Sequence, residues 1–204
     1  VLVAPDAPGI SITPMATLDL TRRFSEVRFD QVRAPRTAVV GEVGHADHQV
    51  DRQLLRALVI LDAESVGAMQ ASFDLTVEWG FDRYSFGRPL ASYQALKHRF
   101  ADMATWLEAN HAINDESPAA VAAGAPDAAT LTSAAKAYIG DYGTELVQDC
   151  VQLHGGIGAT FEHDLHIYLR RHTVNRALFG TPVEHRQRIT DLLQRAEIER
   201  GTAA

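Results

Sequence analysis

Residues 54–73 read LLRALVILDAESVGAMQASF, and the spacing of their side chains decides the fold. The recurring positions, three or four residues apart, are Leu54, Leu58, Leu61, Ser65, Met69 and Phe73. Side chains at these intervals lie on one face of an α-helix, whereas a half-buried strand alternates at every second residue. The stretch therefore predicts a long amphipathic helix that packs one face against a core.

Three further stretches have the same helical period. Their stripes are Leu96, Phe100, Met103 and Leu107; then Leu131, Ala135, Tyr138, Tyr142, Leu146, Cys150 and Leu153; and finally Ile189, Leu192, Leu193 and Ala196. Gly87 and Pro89 interrupt any helix between the first stripe and the second. Because short connections favour antiparallel neighbours, we predict a mainly α fold, an antiparallel four-helix bundle over residues 46–204.

The last two helices have recognisable start signals. Pro126 suits the first turn of the third helix, where an N–H has no helical partner. Before the fourth stripe, Thr181-Pro182-Val183-Glu184 combines a hydroxyl N-cap, a proline at the first position and a glutamate at the third. We therefore expect the fourth helix to begin at Pro182, with Thr181 as its cap.

The first 45 residues have a different pattern from the rest. VLVAPDAPGISI (1–12) and FSEVRFDQVRAP (24–35) alternate apolar and polar side chains between turn residues, as half-buried strands do. GEVGHADHQV (41–50) is polar and has no period, which is typical of a connector. We expect residues 1–45 to be the end of a β-domain and its connector, and the abrupt start suggests that more of that domain precedes it.

Composition excludes several classes of function. A formal net charge of −7 argues against nucleic acid and against an anionic membrane surface, because both attract an excess of Lys and Arg. No apolar run approaches the roughly 18 residues of a transmembrane helix. The single cysteine, Cys150, cannot form an internal disulfide, so the sequence favours a reducing compartment and we expect the cytoplasm.

The most basic part of this acidic chain is RYSFGRPLASYQALKHRF, residues 83–100. An arginine held beside an aromatic ring at a helix junction can present its planar guanidinium to two oxygens of a diphosphate. On composition alone, a solvated helix end is the commoner reading of such charges. Phe86, taken by itself, would be read as a core residue.

A second stretch, QLHGGIGATFEHDLHIYLRR (152–171), contains three closely spaced glycines. Glycine lets the backbone come close to a ligand, or simply makes a tight turn. No strand precedes it, so it is not a Rossmann fingerprint. His163, Asp164 and His166 do not have the spacing of a usual metal-ligand set, and we predict no metal site.

Together, these stretches resemble the C-terminal part of the acyl-CoA dehydrogenase family. The first matches the family's elements at Arg83, Phe86, Gly87, Pro89, Tyr93, Gln94, His98, Ala101, Asp102 and Met103; the second matches at Gln152, Gly155, Gly156 and Gly158. Residues 23–41, RFSEVRFDQVRAPRTAVVG, are similar to the end of the family's middle β-domain. Ser85 departs from a frequent Gln, and Arg171 from the usual Asp.

The resemblance implies a flavoprotein in which FAD lies at a subunit interface and this helical domain reaches over the neighbour's cofactor. It implies that Arg83 binds the diphosphate and that Phe86 packs beside the cofactor. The cofactor-binding residues it implies are Arg83, Phe86, Gln94, Gln152, Gly155, Gly156 and Thr181. The implied substrate is an acyl-CoA thioester, and the implied assembly is a homo- or hetero-oligomer with a paralogous subunit.

The same resemblance indicates that the catalytic base is missing. In the family, a glutamate 27 residues after the motif's glutamine removes the α-proton, and this position is Phe179. Some members carry the glutamate instead on the first long helix, at the position of Ala57. Neither side chain accepts a proton, and general-base catalysis contributes roughly 10²–10⁴-fold. Asp62, Glu64 and Glu184 are the carboxylates nearest in sequence.

Three functional hypotheses follow. The first is an FAD-dependent acyl-CoA dehydrogenase subunit that lacks its own base and completes the FAD site of a partner, similar to the base-less subunits of heteromeric actinobacterial steroid dehydrogenases. Such a chain would be inactive alone. The second is a structural or interaction bundle without flavin. The third is a relative of the flavin monooxygenases or oxidases, which need no such carboxylate.

Overall fold

The structure is a computed structural model and describes residues 1–202. The chain divides into two compact units, Val1–Leu54 and Leu55–Ala204. The first unit contains an antiparallel pair of strands, β1 (Ile10–Pro14) and β2 (Ser25–Phe29), in which Ile10 lies opposite Phe29. The predicted boundary between residues 45 and 46 stays a prediction.

The helices begin in the connector and fill the second unit. They are α1 (Asp47–Asp82), α2 (Gln94–Ala123), α3 (Ala128–His154), α4 (Leu165–Ala177) and α5 (Pro182–Thr202). The mainly helical fold with four long helices is confirmed, and α5 begins at the predicted residue. The shorter helix α4 was not predicted, because its buried side chains include the polar residues His166, His172 and Asn175.

Pro126 does not lie inside α3. The helix begins two residues later at Ala128, after Asp127, and the Ala128 N–H donates to the carbonyl oxygen of Ala125 over 3.1 Å. The proline therefore belongs to the turn between α2 and α3. Gly124 ends α2 with a left-handed backbone, as a C-terminal glycine commonly does.

Side-chain pairs establish the helix directions. The Ser117 hydroxyl of α2 donates to Thr132 of α3, and Arg99 of α2 forms an ion pair with Asp149 of α3. Because the earlier residue of α2 pairs with the later residue of α3, these two helices are antiparallel. On α4, the backbone carbonyl oxygen of Asn175 accepts a hydrogen bond from Lys136 of α3, while His172 lies beside Gly143. 

Helices α3 and α4 are therefore antiparallel too. Gly143 also lies beside Met69 of α1, and a Cβ atom at position 143 would stand 2.4 Å from the Met69 sulfur. Because real Cβ contacts are never this short, a side chain at position 143 would force the helices apart.

Residues from the first three predicted stripes form one core, whereas the fourth stripe does not join it: Leu193 and Ala196 are exposed, so the predicted buried face of α5 was wrong. The buried members of the core are Val66, Met69, Met103, Leu107, Ala135, Ile139, Leu146, Val147, Cys150 and Leu165. Cys150 is a free thiol within this core, and burial raises its pKa to about 12. Among the helices of residues 1–202, none is both long and apolar enough to span a membrane.

Candidate functional site

The basic stretch forms a tight hairpin between α1 and α2. Strands β3 (Tyr84–Ser85) and β4 (Arg88–Pro89) are antiparallel, and Phe86 and Gly87 make the turn at φ 50° and 83°. A left-handed backbone is unfavourable for a residue such as phenylalanine. Phe86 nevertheless adopts it and leaves its ring 97% exposed, so the turn presents an aromatic side chain to solvent at an energetic cost.

Contacts within the hairpin hold its shape. The Tyr93 hydroxyl donates to the Ser85 carbonyl oxygen over 2.7 Å, and the guanidinium carbon of Arg88 lies 3.8 Å from the centroid of the Tyr93 ring. The Leu90 N–H donates to the Arg83 carbonyl oxygen over 2.8 Å. Arg83 is therefore fixed through its backbone, while its side chain is exposed. Gln94 is the exposed first residue of α2.

The glycine stretch forms a 3₁₀ turn, Gly155–Ala159, directly after α3. Gly155 has φ 67° and ψ −143°, a conformation that favours glycine, and its N–H donates to the Gln152 carbonyl oxygen. A Cβ atom on Gly155 or Gly156 would meet nothing within 4 Å, so both backbones are open to approach from outside. Gly158 differs, because its Cβ would stand 2.7 Å from the Val151 carbonyl oxygen.

The structure brings these two stretches together through Trp79. The guanidinium carbon of Arg83 lies 5.7 Å from the centroid of the Trp79 ring. The same ring stacks on His154, the last residue of α3, with ring centroids 5.0 Å apart and planes 17° apart. Arg83 and the Gly155 turn therefore belong to one surface at the end of the bundle where α1 and α3 finish.

The segment between α4 and α5 contains Phe179. Phe179 and Gly180 have φ 61° and 114°, and the Phe179 ring is half exposed. His185 Nε2 lies 3.1 Å from the Phe179 carbonyl oxygen; since a carbonyl only accepts, this nitrogen carries the proton. A Cβ on Gly180 would stand 2.9 Å from the same nitrogen, which leaves no room for a side chain there.

Thr181 and Glu184 form the predicted capping box. The Thr181 N–H donates to Glu184 Oε2 over 2.7 Å, and the Thr181 hydroxyl donates to the same oxygen over 2.8 Å. These hydrogen bonds hold the pKa of Glu184 below its usual value. Glu184 is therefore engaged as a cap, and Thr181 serves α5 in this structure.

The other two carboxylates considered as bases have partners or surroundings of their own. Glu64 forms an ion pair with Arg171 and accepts a 2.9 Å hydrogen bond from Asn175 Nδ2. Asp62 is 1% exposed, and burial raises its pKa to about 7, while the charge of Lys136 acts in the opposite direction. Ala57, the alternative base position, lies half-buried on α1.

Lys136 is buried beside Asp62 and joins three helices. Its Nζ donates to the carbonyl oxygen of Asn175 near the end of α4, while Asn175 Nδ2 donates to Ser65 Oγ of α1 over 3.1 Å. Burial lowers the pKa of Lys136, and the charge of Asp62 opposes this. This polar layer ties the end of α4, and so the segment that carries Phe179, to α1 and α3.

Two features of this geometry were missed in the sequence. Trp79 lies four residues before Arg83, a spacing that places both on one face of a helix end, and His154 directly precedes Gly155. Both signals were present, but neither residue type alone indicates a ligand site. Among residues 1–202, no group of three His, Cys, Asp or Glu side chains is arranged to hold a metal ion.

The two candidate regions lie at different levels of the bundle. Gly140 of α3 is beside Pro182, which follows the Phe179 segment, whereas Gly155 ends the same helix. Fifteen residues of α-helix correspond to about 22 Å, so roughly 20 Å of α3 separates the two levels.

The chain is similar to known proteins over most of its length. Residues 48–193 match the family described as Acyl-CoA dehydrogenase, C-terminal domain. The chain is 35% identical over 181 residues to acyl-CoA dehydrogenase IpdE2 of Mycobacterium tuberculosis. The aligned region covers 88% of this chain and 51% of that protein. The chain thus spans about half the length of the curated relatives it matches.

Solved structures share the fold. A variant of the Tcur3481–Tcur3483 steroid ACAD superposes with a TM-score of 0.82 at 27% identity, covering 99% of this chain and 52% of that one. The ChsE4–ChsE5 complex from Mycobacterium tuberculosis superposes with a TM-score of 0.84 at 22% identity, covering 94% and 51%. The second likeness, at this identity, concerns the fold alone.

Proposed function

Because the chain belongs to the acyl-CoA dehydrogenase family, we propose that it is a subunit that contributes to an FAD site yet supplies no catalytic base. In this role it works with a paralogous partner subunit in the α,β-dehydrogenation of acyl-CoA thioesters. The compartment that we propose is the cytoplasm, where the buried thiol of Cys150 stays reduced.

Phe179 is the observation that carries the proposal. The side chain at this position must take the α-proton of the thioester, and a phenyl ring has no lone pair to accept it. The surrounding frame is intact: Gly180 lies against His185, and Thr181 caps α5. Ala57 cannot accept a proton either, while Glu64 and Glu184 are engaged by Arg171 and by the α5 cap.

The residues present fit the diphosphate part of FAD. Arg83 offers an exposed guanidinium, and the open backbones of Gly155 and Gly156 allow a phosphate to come closer than any side chain would. Bound FAD supplies the acceptor for the hydride that leaves the β-carbon of the thioester. This chain's own contribution is to bind and orient the cofactor, with Phe86 and Gln152 exposed on the same two elements.

The separation of the two regions supports a shared assembly. In this proposal the chain contacts the cofactor at the end of α3. The base position at Phe179 lies at a level about 20 Å away, measured along α3, so the two regions can serve two different sites. We propose that the Arg83 end completes the site of the partner, which supplies the glutamate. The names of two structural relatives each join two proteins, Tcur3481 with Tcur3483 and ChsE4 with ChsE5, which favours an unlike partner.

The test is purification of the chain alone and together with a paralogous subunit encoded beside it. We expect no acyl-CoA turnover by the isolated chain and restored turnover by the pair. The pair should hold about one FAD for every two chains, because each pair has one complete site. Robust turnover by the isolated chain would overturn the proposal, and a colourless pair would favour the structural bundle.

A further inference from the structure

Trp79 contacts a residue from each of the two elements assigned to the diphosphate. Arg83 follows α1 and lies over the Trp79 ring, and the Arg83 N–H donates to the Trp79 carbonyl oxygen over 2.9 Å. His154 ends α3 and stacks on the same ring, with 5.0 Å between centroids. The indole therefore bridges the two helix ends that the cofactor has to contact at once.

His154 is held firmly in this stack. Its Nδ1 lies 2.9 Å from the carbonyl oxygen of Cys150, and because a carbonyl only accepts, Nδ1 carries the proton. The side chain is 5% exposed. A Cβ on Gly158 would stand 2.9 Å from the His154 Cβ, so the glycine turn folds directly against this residue.

The surroundings of His154 favour its neutral form. Burial lowers its pKa, and the neighbouring ring of His163, 4.6 Å away between centroids, lowers it further. The Cys150 carbonyl opposes these two effects. His163 is itself fixed, since its Nδ1 accepts a 3.2 Å hydrogen bond from the Leu165 N–H at the start of α4. A neutral imidazole adds no positive charge that would repel Arg83.

We propose that Trp79 and His154 are positioning residues, whose stack sets the distance between the Arg83 guanidinium and the Gly155–Gly156 backbone so that both reach one diphosphate. The proposal rests on the function proposed above and identifies what organises that site. An exposed arginine loses side-chain freedom on binding. Contact with an aromatic ring restricts the side chain before the ligand arrives, and such preorganisation strengthens binding.

The discriminating test is a double-mutant cycle, measured as FAD affinity of the chain purified with its partner subunit. Trp79→Leu removes the stack, whereas Trp79→Phe keeps an aromatic ring and is the matched control. We expect Trp79→Leu to weaken FAD binding roughly tenfold, and Trp79→Phe to stay within about threefold of wild type. His154→Leu and His154→Phe form the equivalent pair.

The cycle separates positioning from general packing. If Trp79 acts through Arg83, adding Trp79→Leu to Arg83→Ala should weaken FAD binding little further. If the role of Trp79 is purely structural, the double variant should lose affinity by the product of the two single losses. Wild-type affinity of Trp79→Leu, with Arg83→Ala weakened, overturns this inference and leaves the proposed function standing. Equal FAD affinity of wild type and Arg83→Ala overturns the proposed function itself.

A spectroscopic readout covers the case in which Trp79→Leu does not fold. The chain has two tryptophans, so Trp106→Phe leaves Trp79 as the sole indole. We expect its emission to fall on FAD addition, and to fall in acid with a midpoint below the ordinary histidine pKa of about 6.5. His154→Phe should abolish the acid response. If the Trp79 emission changes with neither FAD nor pH, the inference is overturned.

Discussion

At the end of the bundle where α1 and α3 finish, an exposed arginine lies beside two open glycine backbones; at the end of α4, a half-exposed phenylalanine occupies a left-handed turn. Both regions contain a residue with a positive backbone φ angle. Gly155 has φ 67° and Phe179 has φ 61°, and hydrogen bonds fix each segment. Only the first region, however, has the side chains that we propose for cofactor binding.

This difference shows that backbone geometry and chemical capacity are separable. The Phe179 segment keeps its glycine, its cap and its histidine contact although its ring cannot accept a proton. Local packing accounts for this frame, because Gly180 lies against His185 and Thr181 caps α5. The presence of the frame therefore gives no evidence of a reaction at that end, whereas the open glycines are not required by packing within this chain.

The largest expected effect comes from breaking the polar layer behind the Phe179 segment. Lys136→Met leaves the buried Asp62 without its cation, a change that typically costs about 3–5 kcal/mol. We expect about 3 kcal/mol, because Asp62 can take up a proton. Chemical denaturation measures the loss. Asp62→Leu combined with Lys136→Met should recover most of it, and an unstable double variant would contradict this explanation.

The next effect concerns the Arg83 end. Arg83→Ala should weaken FAD binding by the assembled pair by roughly 10–100-fold, since a hydrogen bond to a charged group contributes about 1.5–3 kcal/mol. Arg52→Ala, which removes an exposed arginine near the start of α1, is the matched control and should have no effect. Titration of the flavin-free pair with FAD measures both. Equal loss in the two variants would point to bulk charge.

Acid should reveal the buried histidine of α4. Burial lowers the pKa of His172 to about 4, and the charges of Lys136 and Arg176 contribute. The unfolded chain therefore binds more protons between pH 4 and about 6.5, so this residue's contribution to stability is complete above pH 6.5 and is lost as the pH falls.

Asp62, whose raised pKa acts in the opposite direction, makes the wild-type profile alone ambiguous. The comparison is thus with His172→Asn: between pH 6.5 and 5, wild type should lose about 1–2 kcal/mol more than the variant. Denaturant midpoints across this range measure the difference. Parallel profiles would show that His172 does not titrate as its burial implies.

The smallest expected effect is the cost in stability of the left-handed backbone at Phe179. Phe179→Gly and Phe179→Ala both remove the half-exposed ring, but only glycine relieves the left-handed conformation. The glycine variant should be more stable than the alanine variant by about 1 kcal/mol, measured by thermal unfolding. Turnover of the pair should be unchanged in both. A severe loss of turnover would show that the Phe179 ring contributes to the active site of the pair, which would contradict the proposed role.

Much of the fold was predictable from local periodicity. The apolar stripe at residues 54–73 and the capping box at Thr181 depend on neighbouring residues, so the sequence alone reveals them. Helix α4 was missed because its buried face includes polar residues that need partners distant in sequence, such as Glu64 and Ser65 for the Asn175 amide. The same reason hid the stack of Trp79 on His154, whose partners are 75 residues apart.

The chain's single thiol has a practical consequence for labelling. Cys150 is buried in the core and its pKa is about 12, so little thiolate exists at neutral pH to meet a maleimide or an oxidant. A cysteine introduced on the surface would then be the only fast-reacting sulfur of the native chain. Paired spin or fluorescent probes, one on each subunit, could measure how closely the hairpin of one protein approaches its neighbour without first removing a natural residue.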